Sequence, residues 1–131
     1  MSRIRTRVVG RPYAKVDAAA KVTGQTKFAD DIVLPRMLHC KLLRSRRAHA
    51  RIVSIDTSRA AKMPGVVAVA TGKDLPISFG ILPVSQDEHA LCLDRVRFVG
   101  DPVAAVAAVD EEAAAAALDQ IDVVYEDLTP I

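Results

Sequence analysis

The stretch "DPVAAVAAVDEEAAAAALDQIDVVYED" at residues 101–127 decides the fold. Within it, "VAAVAAV" at 103–109 is an unbroken apolar run of strand length, preceded by a proline that lacks the amide a central ladder would need. Asp110 stands where a helix N-cap belongs, with Glu111 and Glu112 in the first turn, where they complement the helix dipole. Ala114, Ala117, Leu118 and Ile121 follow at i, i+3, i+4 and i+7, which gives a helix over about 110–121 one narrow apolar face. "DVVYE" at 122–126 then returns as a strand.

The same alternation recurs upstream. "LHCKLLR" at 38–44 places Leu38, Cys40 and Leu42 on one face, expected to be half-buried, and His39 and Lys41 on the other. After a basic turn at 45–50, "RIVSI" is β-branched and strand-like, and Asp56 or Thr57 caps a second, shorter helix over about 57–63 that Pro64 ends. "VVAVAT" at 66–71 reads as a buried strand. Two β-α-β segments predict a single α/β domain with a mixed, at least partly parallel sheet and two helices. Residues 1–20 read as an extended N-terminal arm in which Arg3, Arg5 and Arg7 alternate, and 21–131 as the domain, with a short extended piece from Lys27 to Asp30. Residues 72–94 carry two Pro, two Gly and no sustained period, a long connection of the kind that function or docking usually justifies.

Half of the 131 residues are apolar, enough for one hydrophobic core. The longest apolar stretch is 103–109, far short of the about 18 residues a membrane span needs. The basic N-terminus has no apolar segment behind it, so a secretory signal is not supported. Two cysteines, Cys40 and Cys92, are expected to stay reduced, which fits a cytoplasmic protein. The net charge of +2 hides an asymmetry: residues 1–65 carry 15 Lys/Arg against 4 Asp/Glu, and residues 66–131 carry 3 against 12. Either one half neutralises the other inside the fold, or a basic face is left for a partner.

Motifs that carry chemistry are scarce. Gly65 and Gly72-Lys73 are too far apart for a phosphate loop, and Asp74 takes the place of its Ser or Thr. "GDPVAA" lacks the further glycines and the following helix of a dinucleotide fingerprint. His39, Cys40, His89 and Cys92 make a poor metal set, because His39 and Cys40 are adjacent on a strand and point to opposite faces. Cys92 with His89, or Ser45 with His49 and Asp56, would need a geometry that nearness in sequence does not supply. The pairs Asp30-Asp31 and Asp87-Glu88 read as solvated loop carboxylates. What remains is the basic run Lys41, Arg44, Arg46, Arg47 and Arg51, suited to phosphates but without interleaved aromatic residues or a known nucleic-acid motif.

Three segments in order, "KVTGQTKFADDI" at 21–32, "LLRSRRAHARIVSIDTSRAAKMPGVVAVATGKDLP" at 42–76 and "DRVRFVGDPVAAVAAVDEEAAAAALDQIDVVYEDLTP" at 94–130, resemble the N-terminal a/b hammerhead domain of the molybdenum hydroxylase large subunit. This is the xanthine dehydrogenase and aldehyde oxidase family. Within it, residues 79–112 look most like the large (alpha) subunit of 4-hydroxybenzoyl-CoA reductase.

The resemblance implies a hammerhead-type α/β domain at the start of a much longer polypeptide. That polypeptide would hold the molybdopterin cofactor, with iron–sulfur clusters and usually FAD on partner modules. The implied partners are the remainder of the large subunit, an iron–sulfur subunit and a flavin subunit. No catalytic, cofactor-binding or metal residue carries over to this chain. The family turn usually has Pro and His where this chain has Arg46 and Arg47, whereas His49 and Arg51 match. Arg44, Arg46, Arg47, His49 and Arg51 are therefore the candidate subunit interface, and the function implied is structural and docking. An independent basic module for nucleic acid or another polyanion is the alternative. A domain that packs on a large partner is further expected to expose an apolar patch beyond that of an ordinary monomer.

Overall fold

The computed structural model describes residues 7–130, so the Arg3 and Arg5 end of the arm lies outside the described residues. The chain forms two compact units that divide between Pro35 and Arg36. In the first, a single helical turn-and-a-half, α1 (Ala18–Val22), is tied by an Asp17–Lys21 ion pair. A 3-10 turn at Ala29–Asp31 follows, with the Asp31 carboxylate accepting from the Phe28 amide at 3.0 Å. Helical turns thus stand at the end of the arm and at Lys27 to Asp30, where extended chain was expected, because local capping bonds satisfy the backbone there.

The second unit holds eight strands and one longer helix. In chain order the strands are β1 (His39–Arg44), β2 (Ala50–Asp56), β3 (Val66–Thr71), β4 (Ser78–Phe79), β5 (Glu88–His89), β6 (Arg95–Val96), β7 (Pro102–Ala108) and β8 (Asp122–Asp127). Helix α2 (Glu111–Leu118) lies between β7 and β8. Its cap is as expected: the Asp110 carboxylate accepts from the Ala113 amide at 2.7 Å, a bond of the kind worth about 1 kcal/mol.

The strands form three sheets, ordered β1-β7-β3, β6-β2-β8 and β4-β5. Every strand pair among the described residues is antiparallel, which corrects the expectation of partly parallel pairing. The reason is topological. Strands β2 and β3 flank one helical connection and β7 and β8 flank the other, yet each pair is split between the first two sheets. A β-α-β order makes a parallel crossover only when both strands join the same sheet. The helix expected over 57–63 is reduced to a 3-10 turn at Ala60–Lys62. Neither Asp56 nor Thr57 caps it: the N-cap is Arg59, and Asp56 instead accepts from the Ser58 amide at 2.9 Å in the bend that precedes the turn. The turn ends at Met63, just ahead of Pro64, and Gly65, at a φ of 82° that disfavours a side chain, receives the Val109 amide on its carbonyl at 2.9 Å.

The core lies between the sheets and α2. Ala104 and Val106 of β7, Ala60, and Ala117 and Ile121 from the α2 segment form one buried cluster, with Leu43, Val69 and Val123 packed against it. The apolar face expected for α2 is the one that is buried: Ala114 and Ala117 are fully inaccessible. Ala50, Cys92, Val96 and Val103 form a second cluster. On β1, however, the inward face is His39, Lys41 and Leu43, while Leu38, Cys40 and Leu42 point outward and are exposed, the reverse of the expectation. Leu43 supplies the core contact, and Lys41 lies along α2 with its ammonium paired to Glu111.

Three acids make stability depend on pH. Hydrogen bonds to Ser58, to Thr71 and to Lys41 hold Asp56, Asp74 and Glu111 below their ordinary values of 3.8, 3.8 and 4.5. A carboxyl lowered on folding stabilises the protein above its unfolded value, and the contribution is lost as pH falls through the lowered one. Urea-unfolding stability is therefore expected to hold between neutrality and about pH 5 and to fall below the ordinary values. Asp74→Asn should make that acid limb shallower, since it removes the titrating carboxylate whose ionised form the Thr71 amide (2.7 Å) and hydroxyl (2.9 Å) favour.

Candidate subunit interface

The basic turn between β1 and β2 is organised by Ser45. Its buried hydroxyl accepts from the Arg47 amide at 2.9 Å and donates to the Arg47 carbonyl at 3.1 Å. Its backbone donates to the Asp101 carbonyl and accepts from the Gly100 amide, at 2.9 and 2.8 Å. The turn is thus stitched to the loop before β7. Ser45, a nucleophile candidate by residue type, is instead a turn former, and a Ser just ahead of two arginines is the local signal for such a bond.

Four of the five candidate residues are held inside the unit. Arg44 donates to the Gly100 carbonyl at 2.9 Å, and Arg47 to the Asp127 carboxylate at 3.3 Å. The Nδ1 of His49 lies 2.8 Å from the Thr129 carbonyl, which can only accept, so that nitrogen carries the proton. Arg51 is paired with Glu126. Arg46 is exposed and has no hydrogen-bond or ion-pair partner among the described residues. Arg44, Arg46 and Arg47 share a cleft of about 550 Å³ with Tyr125 and Ile121.

Ion pairs across the two halves offset part of the charge asymmetry. Lys41–Glu111, Arg47–Asp127, Arg51–Glu126 and Arg59–Asp122 each join a cation of the basic half to a carboxylate of the acidic half. Each is worth about 0–1 kcal/mol at the surface, so they do little for stability. Their effect is on the field: a polyanion settling on the turn would have to displace the β8 carboxylates.

The other residue sets do not assemble into a reacting centre. His89 and Cys92 line one cleft of about 420 Å³ with Asp101. Burial, helped by a bond to Asp101, pushes the Cys92 thiol up to about 12, so no thiolate is available for attack or ligation. The Asp101 carboxylate is engaged by the Arg97 amide at 2.8 Å. Cys40 lies exposed on the outward face of β1, and no disulfide joins it to Cys92. Ser45, His49 and Asp56 are occupied by Arg47, Thr129 and Ser58 respectively, so they form no triad. An iron–sulfur cluster needs several thiolates and a metal several converging donors. Among the described residues no group of three His, Cys, Asp or Glu converges to supply them. These residues do not fit such a group. No helix among the described residues is long and apolar enough to cross a membrane.

Comparison with known proteins places this geometry. The family described as "Aldehyde oxidase and xanthine dehydrogenase, a/b hammerhead domain" matches residues 23–129. The chain is 49% identical over 124 residues to a probable xanthine dehydrogenase subunit of Bacillus subtilis, covering 92% of this chain and 16% of that protein. It is 43% identical to the nicotinate dehydrogenase large molybdopterin subunit of Eubacterium barkeri, covering 95% of this chain and 29% of that one. Among solved structures, the CO dehydrogenase of Oligotropha carboxidovorans superposes with a TM-score of 0.82 at 39% identity, over 91% of this chain and 15% of that one. Quinoline 2-oxidoreductase of Pseudomonas putida 86 gives 0.79 at 38%, over 89% and 16%. The chain thus spans between about a sixth and a third of the length of these relatives. With the family match over residues 23–129 and antiparallel sheets that superpose on solved members, the chain belongs to the aldehyde oxidase and xanthine dehydrogenase a/b hammerhead family.

Proposed function

We propose that this chain is the structural and docking domain of a molybdenum-dependent oxidoreductase. It holds no reacting group and positions a molybdopterin-bearing remainder of the large subunit. An iron–sulfur subunit and a flavin subunit complete the electron path. One observation carries the reading: the chain is matched along nearly its whole length, yet it covers only a small part of each relative, so the family's chemistry has most of its polypeptide elsewhere. Within the chain's own clefts, Arg47 is held by Asp127, the Asp101 carboxylate by the Arg97 amide, and the Cys92 thiol is kept protonated, which agrees with this reading.

In this reading the bonded members of the basic turn, Arg44, Arg47, His49 and Arg51, fix its shape. Arg46 is the group left to meet a partner carboxylate. The unpaired cysteines support a reducing, cytoplasmic setting.

The relatives' names point to oxidation of an aldehyde or an N-heterocycle. The test is activity with an artificial electron acceptor. The intact enzyme carrying this chain should oxidise such a substrate, and the 131-residue chain alone should not. A second assay, reduction of 4-hydroxybenzoyl-CoA, separates the reductase branch. Turnover by the isolated chain would overturn the proposal.

A further inference from the structure

The β1-β7-β3 sheet has two apolar faces: the inner one is covered, whereas the outer one is covered at the Val103 end of β7, by the second core cluster, and open beyond it. On the inner face, Ala104, Val106 and Ala108 are fully buried under the core. On the outer face the register aligns Cys40 with Ala107 and Ala68, and Leu42 with Ala105 and Ala70. Not one of these six side chains carries a charge or a hydrogen-bonding oxygen or nitrogen. Beside them, Leu38 is 42% and Val109 is 55% exposed. An antiparallel sheet with one face in water normally alternates apolar with polar residues, and a continuous apolar run marks a strand covered on both sides. "VAAVAAV" and "VVAVAT" are such runs. The neighbouring β6-β2-β8 sheet gives the contrast, because its outward side carries the Arg51–Glu126 pair.

We infer that the outer face of the β1-β7-β3 sheet is a permanent docking surface for an uncharged apolar surface on the remaining polypeptide of the same subunit. This rests on the docking reading above and names the face that does the docking. The occupant follows from the chemistry and the lengths. The six aligned positions carry no cation, and Arg44 at the end of β1 is tied to the Gly100 carbonyl, so a nucleic acid or an acidic segment gains little there. The small alanine side chains leave room for another surface to approach closely, and a wholly apolar patch suits the buried core of a permanent interface. The family relatives carry several times the length of this chain as further polypeptide, enough to supply such a surface. The inverted burial of β1 falls into place, because Leu38, Cys40 and Leu42 are core residues whose core is completed by the partner surface.

Cys40 reports on this face directly. The experiment compares its alkylation rate in the isolated 131-residue chain and in the full-length subunit, read by mass spectrometry on the tryptic peptide 37–41. Buried Cys92 serves as the folding control in both. The isolated chain should be monomeric with fast Cys40 labelling, and the full-length subunit should slow it at least about tenfold, as burial demands. Equal rates in an intact, molybdenum-containing subunit would overturn this inference while leaving the docking reading in place. Failure of the chain to occur with any molybdopterin-bearing polypeptide would overturn the docking reading itself, and this one with it. Slow labelling of an isolated chain that sediments as a dimer would overturn it in favour of a second copy of this chain.

Discussion

Leu91→Ala is expected to lower the unfolding free energy by about 2–5 kcal/mol, the range for emptying a fully buried leucine site. Leu91 is 2% exposed, and it ends a connection, residues 72–94, whose other large apolar side chains stand mostly in water. It is followed by Cys92, which belongs to the second core cluster and donates its amide to the Pro102 carbonyl at 2.8 Å. The pair is therefore where the long connection re-enters the core. For a domain of this size each kcal/mol is about 4–8 °C in Tm, so a fall of roughly 8 °C or more is expected in a thermal melt. Leu82→Ala, at a side chain 61% exposed in the same connection, should change stability by no more than about 0.5 kcal/mol. Equal effects of the two would show that Leu91 is not the anchor.

Gly72→Ala is expected to cost at least about 3 kcal/mol, at or beyond the upper end for overpacking. A Cβ built there would lie 2.3 Å from the Cys92 carbonyl oxygen, 2.7 Å from its carbon and 2.9 Å from the Leu91 oxygen. All three are backbone atoms, so no side chain can swing aside. The end of β3 and the 91–92 segment would have to part, which strains the Cys92–Pro102 bond and loosens Leu91. Two readouts check it: the urea midpoint should fall, and Cys92, slow to alkylate in the native protein, should become reactive. Because both substitutions act on one segment, their effects should not add. A Gly72→Ala protein with native stability and a protected Cys92 would contradict the close approach.

These sites show what sequence could and could not supply. The start and buried face of helix α2 were legible, since Asp110, the acidic first turn and the spacing of Ala114 and Ala117 are local signals that hold, but the helix stops at Leu118, short of the expected 121, and Ile121 joins the core from the turn after it. The strands "VVAVAT" and "VAAVAAV" were legible as apolar runs. Their antiparallel pairing was not, because it depends on which sheet each strand joins, and nothing local encodes that. The side of β1 that faces the core is the reverse of what alternation suggests. Lys41 and His39 count as polar in a pattern, yet the Lys41 stem lies inside with its charge neutralised at Glu111. Leu91 and Gly72 carry no periodic signal in an irregular stretch, so only the fold shows that they touch.

The basic run follows the same logic. Its charges are plain in the sequence, and its partners are plain as well, in the acidic half. Pairing them requires the β2-β8 register, which sets Arg51 opposite Glu126. Of the five candidate interface residues, Arg46 is the one open to solvent without a partner among the described residues, and the outer face of the first sheet is the surface proposed above for docking.

Purification of the native protein through an affinity tag on this chain, followed by intact-mass and molybdenum analysis, tests the central claim most directly. The chain should be recovered within, or bound to, a much longer polypeptide with molybdenum close to one atom per copy. Recovery of the 131-residue chain alone, free of molybdenum and of any such polypeptide, would contradict it.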